Sequence, residues 1–79
     1  MIKLNILDMK NFLGTVNACI GKVNMLCPDG KKIDINGKEE IQDGLLWQYR
    51  QNKNSLRLVL EIPNPRDYMS IVSYYAGDC

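Results

Sequence analysis

Histidine is missing from all 79 residues, and that one absence removes several chemistries together. No imidazole is there to act as a base near neutral pH, to ligate a metal or to carry phosphate. Cysteine is sparse: Cys19, Cys27 and Cys79, an odd number with no Cys-x-x-Cys pair. A secreted disulfide scaffold wants an even and denser set, so free thiols are expected, with Cys19 and Cys27 buried and Cys79 loose. A zinc site would need carboxylates or a second subunit to complete its ligands, and no metal or other cofactor is expected. No apolar run reaches the length of a membrane span, and no signal-peptide core is visible near Met1. A surplus of one charge is lacking too. The formal net charge is +1, which makes no electrostatic case for nucleic acid or for an anionic membrane. A soluble, cytoplasmic protein is the expectation that remains.

What is present is apolar and well patterned. A hydrophobic share of 46% suffices for a core and excludes a disordered chain, and the length suits a single domain over 1–79. The stretch from Lys22 to Gly37 reads as a β-hairpin whose turn is Pro28-Asp29-Gly30. Proline presets φ, the aspartate can accept a bond from the backbone two residues on, and glycine can take the positive φ that closes the loop. Val23, Met25 and Cys27 fall on one face of its first strand, with Leu26 breaking the pattern. Ile33 and Ile35 point inward on its second, with Lys32 and Asp34 outward.

The flanking segments follow the same logic. Ile2, Leu4 and Ile6 alternate with Lys3 and Asn5, a strand with one dry face. Asp8 is placed as an N-cap, and behind it Met9, Phe12, Leu13, Val16 and Ile20 make a helical stripe that Gly21 should end. After the Asn36-Gly37 turn, Ile41, Leu45 and Tyr49, spaced by fours with Leu46 beside them, predict a helix from Glu39 to about Arg50. Residues 51–55 are a polar connector. Leu56, Leu58, Leu60 and Ile62 form the clearest strand, and Asn64 then caps a last helix with Pro65 as its first residue. Tyr68, Ile71, Val72 and Tyr75 are its expected stripe, and Gly77 its end. The order is βαββαβα. Strands that alternate predict an antiparallel sheet with one wet face, and three one-striped helices must share the other. The fold class is α+β: a two-layer open-faced β-sandwich of four strands and three helices.

Catalysis finds no support in these residues. Glu39, Glu40 and Asp43 sit where a helix N-terminus favours negative charge, and no phosphate-binding glycine loop or nucleophile elbow is present. RNA-recognition modules use a related plan but stack bases on aromatic residues of their central strands. Here the outward positions are Lys3, Asn5, Asn24, Lys32, Asp34, Arg57 and Glu61, while every Tyr and the single Trp lie in predicted helices. Trp47 stands off the apolar stripe of its helix. Beside Leu46, Tyr49 and Arg50 it has the composition of an interface hot spot, or it folds over the edge of the core, and periodicity leaves both open.

Taken in order, IKLNILDMKNFLGTVNACIGKVNML followed by PDGKKIDING resembles the phosphocarrier HPr family of the bacterial sugar phosphotransferase system, and more closely its short, divergent members. The resemblance implies the same βαββαβα sandwich. It also exposes two departures. In HPr a loop after the first strand presents the phosphorylated histidine; here Ile6 runs through Leu7 into Asp8, and loop and histidine are both gone. Regulatory forms carry a serine at the start of the second helix, where this chain has Gly37, or Asp43 in a shifted alignment. The docking surface of the family lies on the first and second helices, which implies Leu45, Leu46, Trp47, Tyr49 and Arg50 as partner-binding residues. The expectation is a non-catalytic HPr-like binding or regulatory module with a protein partner, a phosphotransferase-system enzyme or a transcriptional regulator. The alternatives are a metabolite- or nucleic-acid-binding module using Lys3, Lys32 and Arg57 on the open sheet face, and an oligomerising unit seen as a homodimer.

Overall fold

The computed structural model describes residues 1–77, with side chains through Tyr75. Its elements are β1 (Ile2–Ile6), α1 (Met9–Asn17), β2 (Asn24–Leu26), β3 (Lys32–Asp34), α2 (Glu39–Gln51), β4 (Leu56–Glu61) and α3 (Pro65–Gly77). The strands form one antiparallel sheet in the order β1-β4-β2-β3. Both inner strands are thus flanked on either side, and β4 holds the longer ladder, five pairs from Ile2↔Leu60 to Ile6↔Leu56. Leu4, Ile6, Leu58, Leu60 and Ile62 point from one face into a single core. Met9, Phe12, Leu13 and Val16 of α1, Leu45 of α2 and Ile71 of α3 meet them there. Lys3, Asn5 and Arg57 on the opposite face are exposed. The fold is α+β, an open four-stranded antiparallel sheet with three helices.

Local chemistry sets the joints. Asp8 Oδ1 accepts from Asn11 N–H at 3.1 Å and opens α1. In the hairpin, Gly30 N–H donates to Cys27 C=O at 2.9 Å. Gly30 has φ +88°, and Lys31 N–H donates to Asp29 Oδ1 at 3.0 Å. The ladder continues past β3, where Ile35 N–H donates to Val23 C=O at 2.9 Å and both side chains are fully buried. Asn64 Oδ1 accepts from Arg66 and Asp67 N–H at 2.9 and 3.3 Å, so α3 starts on its expected cap.

Four expectations are corrected. Helix α1 ends at Asn17, three residues short of Ile20, whose side chain is 72% exposed. Ala18 N–H reaches back to Gly14 and Thr15 carbonyls, a tightened last turn that leaves Gly21 in the following loop. Cys19 and Cys27 are half-buried, not buried, because Cys19 lies beyond the helix and Cys27 begins the turn. In α3 Tyr68 is 38% exposed, and the inward stripe is carried by Asp67, Ile71, Tyr74 and Tyr75. Ile33, in the outermost strand β3, stays half-exposed and outside the core. Cys79 lies outside the described residues.

Candidate docking site

Helix α2 divides its side chains sharply. Leu45 is 3% exposed and belongs to the core, so it is unavailable to a partner. Leu46 and Tyr49 pack against the core edge and are half-buried. Trp47 is 64% exposed and takes no part in the core, and Arg50 is exposed beside it. One turn before Trp47 stands Gly44, where a Cβ would meet nothing within 4 Å. One flank of the indole is therefore uncovered along its own helix. Of the two readings open for Trp47, the ring folded over the core is set aside. What remains of the five-residue surface is Trp47 with Arg50, rimmed by Leu46 and Tyr49.

Three polar clasps hold the frame around that helix. The first pins the junction after β1. Tyr49 of α2 donates its hydroxyl to Leu7 C=O at 2.6 Å, and Tyr74 of α3 donates to Asp8 C=O at 2.9 Å. Two helices thereby tie down the two carbonyls between β1 and α1, leaving that turn short and held. Phe12 lies against Tyr74, ring centres 6.0 Å apart, which seats the second phenol.

The second clasp joins α2 to α1. Gln42, 8% exposed, donates its amide to Asn17 Oδ1 at 2.7 Å and to Ile35 C=O at 2.8 Å, and its carbonyl accepts from Asn17 Nδ2 at 3.2 Å. Asn17 Oδ1 also accepts from Gly37 N–H at 3.2 Å, so the entry to α2 is fixed by α1. Gln42 lies one position after Ile41 and three before Leu45, on the inward side of the stripe. An amide at an apolar spacing was the available signal.

The third clasp holds the loop between α1 and β2. Asp67, 2% exposed, accepts from Ile20 N–H at 2.9 Å and from Gly21 N–H at 2.7 Å. From the other side Asn36 Nδ2 donates to Cys19 and Gly21 carbonyls at 3.0 and 2.7 Å. The backbone of this loop is satisfied by side chains while Ile20 points out. Sequence reasoning passed over Asp67, although it sits four residues before Ile71 at helical spacing.

Titration adds little chemistry. Burial, and then the nearby Asp67 carboxylate, push the Cys19 thiol above its ordinary range, and its Sγ donates to Thr15 C=O at 3.4 Å. Such a thiol is a poor nucleophile. The hydrogen bond from Lys32 holds the Glu61 carboxyl below its usual value, in an exposed pair across β3 and β4. Among the described residues no group of three or more Cys, Asp or Glu side chains is placed to hold a metal, and no helix is long and apolar enough to cross a membrane.

No family model, curated protein or solved structure matches this chain. The geometry of the site and the sequence resemblance therefore carry the functional reading.

Proposed function

We propose that this chain is a non-catalytic, HPr-like regulatory module that docks on a protein partner of the sugar phosphotransferase system through α2. The observation that carries this reading is Trp47: a large ring, 64% exposed on a helix whose other apolar residues face the core. Rigid aromatic side chains with a neighbouring arginine are the usual anchors of protein interfaces, where burying one contributes more than its share of the binding energy. The βαββαβα order and the single-faced sheet are in keeping with the HPr plan.

The module carries no phosphate. With no histidine in the chain, and with the turn after β1 tied by Tyr49 and Tyr74, nothing stands where the family presents its acceptor. Incubation with phosphoenolpyruvate and enzyme I tests this half of the reading. The expected result is no acid-labile phosphate on this chain; stable phosphoryl transfer to it would overturn the proposal.

A further inference from the structure

Beyond Met25 the sheet comes apart. The β2–β4 ladder holds two pairs, Asn24↔Glu61 and Met25↔Leu60, whereas β4 runs on to Leu56 against β1. The register also limits how far pairing could extend. Continued by the same step, it would bring Pro28 opposite Arg57, and Pro28 has no N–H to donate. Pro28 also belongs to the turn that carries β2 towards β3, closed by Cys27 N–H donating to Lys31 C=O at 2.9 Å. The strands leave between them a cleft of about 500 Å³, within the roughly 300–1,000 Å³ of small-molecule sites. Met25, Leu26, Leu56 and Val59, all partly exposed, supply its apolar lining, with Cys27 on one side and the buried Leu45 and Leu58 beneath.

Arg57 gives the cleft its polarity. Asn5 turns its N–H away from β4, to the Tyr75 hydroxyl at 3.4 Å. Facing residues of an antiparallel ladder alternate between exchanging both bonds and exchanging neither. The pair Asn5↔Arg57 is therefore of the second kind, and Arg57 directs its own N–H and C=O towards the cleft. Arg57 is exposed on the open face of the sheet and is among the residues that line the opening. The ion pair formed among the described residues is Lys32–Glu61, so among them Arg57 has no carboxylate partner.

We propose that this cleft binds a small molecule with an apolar body and one carboxylate. The body lies along Met25, Leu26, Leu56 and Val59, and the carboxylate takes the guanidinium fork of Arg57, which matches its planar, two-oxygen geometry. The inference does not rest on docking through Trp47, and the two can fail separately.

The test titrates the whole chain, labelled with nitrogen-15, with decanoate, decanol and decylammonium, in parallel with Arg57→Gln. Arg57 is exposed, so the variant retains the fold. Decanoate is expected to shift the amides of Leu26, Arg57 and Val59 saturably and to slow alkylation of Cys27 while leaving that of Cys19 unchanged. Affinity is expected to drop roughly tenfold for decanol, and for decanoate on the variant, the usual scale for losing a charge-assisted pair. Decylammonium should bind more weakly still. Equal affinity for the three probes, unaltered decanoate binding by Arg57→Gln, or no saturable shift at those amides would each overturn the proposal.

Discussion

Replacing Asp67 by alanine removes the acceptor that holds the α1–β2 loop, and the structure sets the size of the loss. Two backbone N–H groups, from Ile20 and Gly21, lose charge-assisted bonds of 2.9 and 2.7 Å to a carboxylate that is 2% exposed. Bonds to a charged group contribute about 1.5–3 kcal/mol each. The neighbouring Ile20 is 72% exposed, so water can replace part of what the two donors lose, and about 3 kcal/mol is the expected total. A domain of this length has about 4–12 kcal/mol in all. Each kcal/mol lowers the melting temperature by about 4–8 °C at this size. Asp67→Ala should therefore melt about 12–24 °C below the parent. Asp67→Asn keeps one acceptor oxygen and should lose about half as much. Urea unfolding followed by far-UV circular dichroism reads the change, with an unaltered m-value showing that the unfolded chain is the same. A loss under about 0.5 kcal/mol, the scale of ordinary surface substitutions, would refute the reasoning.

Smaller effects follow from other positions. Gly14 lies inside α1, where a Cβ would meet nothing within 4 Å, so Gly14→Ala should gain about 1 kcal/mol in the same unfolding assay. Lys53 has φ +58°, a left-handed conformation that a side chain disfavours, and Lys53→Gly should gain up to about 1 kcal/mol. Burial, and then the Asp67 carboxylate, raise the Cys19 thiol above its ordinary value, so folding favours its protonated form. That contribution is complete below the unfolded-chain value and fades as pH rises through the folded one; Cys19→Ser should flatten the alkaline decline in stability. Glu61, held low by Lys32, acts in the opposite direction. Its small contribution is present above the ordinary carboxyl range and fades as pH falls, so Lys32→Gln should make the acid limb shallower.

Much of this architecture was legible in the residues because it depends on short-range rules. Strand alternation, the Asp8 and Asn64 caps and the Pro28-Asp29-Gly30 turn each need only their immediate neighbours, and all seven elements occur in the expected order, with α1 ending early at Asn17. The misplacements share a different cause. Ile20 continues a helical spacing, yet the chain leaves the helix because Asp67 and Asn36, far along the sequence, capture the backbone of the loop. Tyr68 fits a helical stripe as well as Tyr74 does, but it is Tyr74 that packs inward, where its hydroxyl reaches the Asp8 carbonyl and its ring meets Phe12. The short β2–β4 ladder, two pairs against five for β1–β4, is equally invisible to local signals. For the docking surface, the sequence named five residues and the fold withdrew Leu45 into the core, leaving Trp47 as its centre.

Docking through α2 is tested most directly by passing native lysate over immobilised parent chain and Trp47→Ala side by side, after checking that both unfold at the same urea concentration. The expected result is that the parent retains a phosphotransferase-system enzyme or a transcriptional regulator and the variant does not. Equal retention by the two, or a marked loss of stability in the variant, would contradict the role given to Trp47.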